Sequence, residues 1–353
     1  MIKHLNRREV SLGLLAAGAA GSFLVPGSRA HAASPELIAA AEAEGSVLWY
    51  TTMIVDQAVR PLAAAFEAKY PKIKVDFSRG GSGDTALKII NEAQAGRPMG
   101  DVFDGTATFA NVMPAGAVEP YSPDSAAAYP DNFKDPDGNW HALNFYFLTT
   151  VYNTDLVSEE DAPKTFQDLL DPEWKDQMIW SIVPEPTAAP GFVGNILMTM
   201  GEADGMAYLD KLAGQNITNM DTSQRVVLDR VIAGEFPVGL MCFNHHVAIS
   251  RAQGAPIAWV PMEPVVAASS LLGKIKDGPH PNAAELLIDF LLSKEGQEVL
   301  ASTKYLPTYP GVPADEPTLL PTGPEPFDIT FMSPAVVEEN LKDWMEVLNE
   351  KFL

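Results

Sequence analysis

The chain has 353 residues, 46% hydrophobic and 20% charged, with a formal net charge of −22 and one cysteine, Cys242. That length suits two lobes rather than one compact core, and a single cysteine excludes an intramolecular disulfide. So acidic a surface repels nucleic acid and anionic membranes, but fields are screened over ~8 Å at physiological salt, so an anionic small ligand stays possible where local donors favour it.

Residues 1–33 read as an export segment. Asn6-Arg7-Arg8-Glu9-Val10-Ser11-Leu12 sets paired arginines ahead of an apolar stretch, Leu12 to Val25. Ala30-His31-Ala32 supplies the small residues a signal peptidase needs, so cleavage is expected after Ala32 or Ala33. The stretch is too short to span ~30 Å of hydrocarbon stably. The arginines resemble a twin-arginine signal, with Sec export as the alternative. The segment carries Lys3, Arg7, Arg8 and Arg29 against Glu9, so its removal takes the net charge from −22 to about −25.

Beyond it, strands alternate with helices. Val47 to Tyr50 is a short apolar strand that runs into Thr51-Thr52 and a helix with Val59, Leu62, Phe66 and Tyr70 on one face. Ile73, Val75 and Phe77 alternate as in a half-exposed strand. Gly80-Gly81-Ser82-Gly83-Asp84 then opens a helix, with Asp84 as its expected N-cap. Asp101 to Asp104 is the next strand. Phe145 to Tyr152 is a β-prone run long enough to cross between lobes, and Ile257 to Val260, between two prolines, is the expected return. Between them lie a capping-box-like start at Thr165-Phe166-Gln167-Asp168 and strands from Met178 to Val183 and from Val238 to Phe243. An amphipathic helix follows Pro281, a proline-rich tail runs from Pro307 to Pro326, and a last helix starts near Ser333-Pro334. This order predicts an α/β fold of two lobes, with ligand groups at the carboxyl ends of strands.

Several segments resemble periplasmic binding proteins of the ferric-ion type. They are Gly45 to Thr51, Asp101 to Asp104, Thr106-Ala107-Thr108-Phe109-Ala110-Asn111, Pro279-His280-Pro281-Asn282-Ala283-Ala284 and Phe290 to Gln297. The resemblance implies a type II periplasmic binding fold, each lobe a central mixed sheet flanked by helices and joined by hinge strands. It also implies capture of a small molecule in an inter-lobe cleft and delivery to an inner-membrane ABC permease. Members bind ferric ion, aminoethylphosphonate, sugar phosphates or thiamine. The expected division is 34–143 for lobe 1, 144–260 for lobe 2, 261–305 for the return to lobe 1, and 306–353 for a tail packing on lobe 2. A monomeric, non-enzymatic protein of the periplasm with no cofactor and no nucleic-acid partner is the reading that follows.

The iron binders of this family carry two adjacent tyrosines after a second-lobe strand, whereas this chain has Cys242-Phe243-Asn244-His245-His246. Phenolate is a hard donor suited to Fe(III), and neutral imidazole suits softer metals or donates to anions. A phosphonate, phosphate ester or carboxylate is therefore the expected ligand. Thr51, Thr52, Gly81, Ser82, Asp104 and Thr106 are its expected contacts from turns that precede helices, and Asn244, His245 and His246 those from the second lobe. Adjacent strand residues point to opposite faces, which favours one histidine at the ligand and one in packing. A metal held by His245 and His246 with Asp104 or Glu263 is the alternative, with thiamine or polyamine binding behind it. A Cys242–His245 nucleophile pair is disfavoured, because a cysteine within an apolar strand reads as a buried small hydrophobe.

Overall fold

The computed structural model describes residues 33–353. The paired arginines, the apolar stretch and the Ala30-His31-Ala32 motif lie outside the described residues. The chain forms two compact units, residues 33–145 with Ser269–Asp315, and Tyr146–Ala268 with Glu316–Leu353. It therefore passes between them after residues 145, 268 and 315, where the sequence placed the divisions after 143, 260 and 305.

In the first unit, Ser34 caps the helix Pro35–Glu44, its hydroxyl accepting from Leu37 N at 3.1 Å. β1 (Ser46–Thr51) pairs in parallel with β2 (Lys74–Arg79) and with β3 (Val102–Asp104). A π turn at Val55–Val59 leads from β1 into the helix Arg60–Lys69, which buries Leu62 and Phe66 as the spacing predicts. The helix Ser82–Gln94 joins β2 to β3. Its N-cap is Gly81, so Asp84 is not the cap but an acid in the first turn. The helix starts three residues earlier than the acidic side chain suggested, because Gly80-Gly81 can turn the chain without a capping side chain. The helix Thr106–Val112 and β4 (Val118–Glu119) follow β3.

β5 (His141–Asn153) is buried along all thirteen residues and begins in the first unit and ends in the second. There β6 (Met178–Ser181), β7 (Thr218–Met220) and β8 (Val238–Phe243) run parallel, and β5 pairs antiparallel with β8. Helices Ala189–Met200, Glu202–Ala213, Gln224–Ile232 and Asn244–Ala252 connect and follow these strands. β9 (Ile257–Val260) is not the return: it lies within the second unit, antiparallel to residues Thr150–Asn153 of β5. The return is made by β10 (Val265–Ile275), again buried throughout. A strand buried on both faces has no alternation to betray it, whereas prolines at both ends made the shorter run conspicuous.

Back in the first unit, helices Pro281–Leu292 and Lys294–Ser302 are separated by Ser293, whose hydroxyl caps the second by accepting from Gly296 N. β11 (Leu306–Pro307) pairs with β5, and in the second unit β12 (Ile329–Phe331) pairs with β10. Each unit thus holds a mixed sheet flanked by helices. Ser333 caps the last helix, Pro334–Phe352, which packs on Ala189–Met200 in the second unit.

The Pro279–Ala284 segment has a structural job at the amino ends of β1 and β3. The Asp101 carboxylate accepts from Leu48 N at 2.7 Å and His280 N at 2.8 Å, and meets His280 Nδ1 at 2.9 Å. His280 Nε2 in turn meets Ser46 Oγ at 3.2 Å. The first amides of the helix, from Asn282 and Ala283, donate to Glu44. Among the described residues, no helix is long and apolar enough to cross a membrane.

Candidate functional site

The parallel strands β1, β2 and β3 of the first unit bring Thr51-Thr52, Gly81-Ser82 and Asp104-Gly105-Thr106 to one edge of its sheet. Asp104 is fully buried. Its Oδ1 accepts from Thr52 N at 2.9 Å and from Thr52 Oγ1 at 2.6 Å, while Oδ2 has no hydrogen-bond partner among the described residues. Burial pushes its carboxyl upward, against the pull of the Thr51, Thr52 and Trp49 side chains toward the charged form. Gly105 lets these loops close: at φ 120° it is strained for other residues, and a Cβ there would lie 2.7 Å from Thr108 Oγ1 and 3.0 Å from Thr52 Cγ2.

The threonine hydroxyls at this edge are engaged within the fold. Thr52 gives its hydroxyl proton to Asp104, and Thr106 gives its proton to Ser269 O at 2.5 Å. Thr51 Oγ1 accepts from Met53 N at 3.1 Å. What Thr52 retains are oxygen lone pairs. The donors this edge offers are backbone amides: the helix Ser82–Gln94 has no side-chain cap, so its first-turn amides have no intrahelical acceptor and stand at the positive end of thirteen residues of helix.

Ser270, which sequence reasoning missed, reaches the same edge. β10 runs antiparallel to β3 with Leu272 opposite Asp104, which places Ser270 just past the end of β3, buried and with its hydroxyl unpartnered. Two adjacent serines inside the apolar run Val265–Leu272 were the available signal.

In the second unit β6 and β8 start in register and run parallel, and β8 passes directly into the helix Asn244–Ala252. Asn244, His245 and His246 form its first turn and are all buried. Asn244 Nδ2 donates to Leu319 O at 2.9 Å, and its Oδ1 has no hydrogen-bond partner among the described residues. The two imidazoles lie 4.4 Å apart and pack edgewise, with the Phe243 ring 5.6 Å from His245 and 4.9 Å from His246. Burial lowers the His245 pKa to about 3, so this ring is neutral at physiological pH. The loop after β6 was also missed. There Gln224 Nε2 fixes Thr187 O at 2.9 Å, and Thr187 donates to Glu185 at 3.2 Å. Its signal was a polar Pro184-Glu185-Pro186-Thr187 stretch directly after a strand.

Glu263 is exposed, in the turn before β10. Among the described residues, no three His, Cys, Asp or Glu side chains gather as a metal site would require. Cys242 is buried, which pushes its thiol up to about 12 and keeps it from being a thiolate.

Two sheets whose strand ends present uncapped helix starts and buried polar side chains define a two-lobed binding fold. The model of the bacterial extracellular solute-binding protein family matches residues 98–327, and the chain belongs to that family. An uncharacterized protein of Haemophilus influenzae is 27% identical over 82% of this chain and 81% of its own length. The Fe(3+)-binding periplasmic protein of Serratia marcescens is 24% identical over 70% of this chain and 75% of its own. Among solved structures, the periplasmic binding protein AfuA of Actinobacillus pleuropneumoniae, with fructose-6-phosphate bound, has the same fold. It aligns with a TM-score of 0.71 at 23% identity, over 87% of this chain and 98% of that one.

Proposed function

We propose that this chain is the periplasmic substrate-binding component of an ABC importer, a monomer that passes its cargo to an inner-membrane permease. Its cargo is a small polar solute held through a phosphonate, phosphate-ester or carboxylate group. The observation that carries the anion is the pair of helices, Ser82–Gln94 and Asn244–Ala252, that start near strand ends with no side-chain cap. Gly81 and Ser82 contribute amides in this reading, and Asn244, His245 and His246 are the second unit's ligand residues. The lone pairs left on Thr52 favour a solute that also carries a hydroxyl or ammonium donor, as a sugar phosphate or an aminophosphonate does. Binding rather than catalysis is favoured because Cys242 is a buried thiol. The Ser46–His280–Asp101 chain lies at the amino end of β1, and the nearby helix amides that would stabilise an oxyanion donate to Glu44.

A second reading, a ferric or other metal ion on His245 and His246 with Asp104 or Glu263, is favoured by the name of the Serratia relative. One thermal-shift screen separates the two. A ligand at a hundred times its Kd adds about 2.7 kcal/mol of stability. A phosphonate, phosphate ester or carboxylate should raise Tm, and Asn244→Ala with His245→Ala should abolish the rise. Stabilisation by ferric ion alone, with colour and reversal by a chelator, would overturn the anion reading.

A further inference from the structure

A cavity of about 190 Å3 opens in the first unit, with Ala33, Ser34, Tyr121, Asp124, Ser125 and Asp289 among its lining residues. Asp289 is partly buried on the helix Pro281–Leu292 and accepts from Tyr121 Oη at 2.9 Å. Its carboxyl is pushed up to about 6, first by burial and then by the charges of Asp124 and Glu285. The lysine that pairs with Glu285 is already committed: Lys274 Nζ binds Glu285 at 2.7 Å and Glu119 at 2.8 Å. Among the described residues, no basic side chain pairs with Asp289 or Asp124. Ser125 adds a buried hydroxyl oxygen with no hydrogen-bond partner. The cavity thus sets a partly desolvated acid, Asp289, beside an exposed one, Asp124, with no basic partner for either among the described residues, and desolvated charge without a partner is costly.

The first described residues border the same cavity. Ala33 and Ser34 line the cavity, and Ser34 is pinned there as the cap of the helix Pro35–Glu44. In the uncut chain their nitrogens are neutral amides. Hydrolysis after Ala32 or Ala33 consumes one water, leaves a carboxylate on the released leader, and frees an α-amine that takes up a proton at neutral pH. That ammonium forms on a residue that lines the cavity.

We propose that the α-ammonium released by leader removal is the counter-ion of Asp289 and Asp124, so that processing completes the first unit by docking the new N-terminus in this cavity. The inference rests on the export-segment reading and is independent of the ligand.

The test uses the exported protein, with its first residue established by mass spectrometry. The α-amine, titrated by NMR of the first residue, should have a pKa above the ordinary range of about 7.7–8.0 and should fall toward it in Asp289→Asn. Transamination of the terminal residue with pyridoxal phosphate replaces the ammonium by a ketone and leaves lysines intact. It should lower Tm by about 2–4 °C in the wild type and leave Asp289→Asn unchanged. An ordinary α-amine pKa with a Tm indifferent to transamination would overturn the proposal, as would an exported chain that begins upstream of Ala33. The wild-type titration alone decides the matter if the variant does not fold.

Discussion

At the residue scale, the buried first turn at Asn244-His245-His246 has a consequence for stability. Unfolded His245 takes up a proton near its ordinary 6.5, while the folded ring resists until about 3. The unfolded state therefore binds more protons between these values, so the stability this residue contributes is complete above pH 6.5 and is lost as pH falls toward 3. The slope can reach roughly 1.4 kcal/mol per pH unit. His141, lowered to about 4 by burial, adds a slope of the same sign, so the comparison must be made against a variant. Urea unfolding of wild type and His245→Gln from pH 7 to pH 4 should give converging stabilities as pH drops. Parallel curves would show that the ring is not buried neutral. The sequence made these histidines visible as adjacent imidazoles after a strand. It could not show that both are buried, because the strand ends at Phe243 and residues one step apart in a helix need not face opposite ways.

At the element scale, the sequence was most legible where apolar spacing and caps agree. The helix on Leu62 and Phe66, the strand Val238–Phe243 and the Ser333-capped last helix stand where the pattern put them. It was least legible where burial erases the pattern, as in β10, or where a contact is long-range. Trp344 of the last helix is such a contact: it is buried against Gly194 of Ala189–Met200, where an added Cβ would lie 2.5 Å from the indole. Neither residue signals the other in sequence, and the glycine looks like a weak point in a helix until its partner is known. Gly194→Ala should therefore destabilise by about 1–3 kcal/mol through overpacking, despite alanine's better helix propensity. In a Trp344→Leu background the same substitution should cost less, since the clash is removed. Denaturant unfolding of the four proteins measures this coupling. Strict additivity would mean that the two helices do not meet through these residues. The candidate site was legible by the same logic. Strand-to-helix turns at Thr51, Ser82 and Asp104 announced themselves, while the hydroxyl protons of Thr52 and Thr106 were committed by hydrogen bonds that no local pattern records.

At the scale of the whole molecule, the formal charge of −22 sets the field that a solute meets before any contact forms. An anion is repelled by that field and a cation is drawn in. Salt shortens the reach of the field, from ~30 Å at 0.01 M to ~8 Å at 0.15 M. Association of a phosphonate, phosphate ester or carboxylate should therefore quicken as salt is added over this range, on the order of several-fold, while its dissociation rate changes little. A ferric ion or a polyamine should show the reverse. Stopped-flow association at fixed solute and varied sodium chloride, followed by intrinsic tryptophan fluorescence, reads the sign directly. The sign depends on the charge of the whole chain and not on any single contact, so it stays informative if individual site residues are misassigned. An association rate that falls with salt for the solute that stabilises the protein would mean the cargo arrives as a cation. The uncapped helix starts would then serve a group other than the one that governs approach.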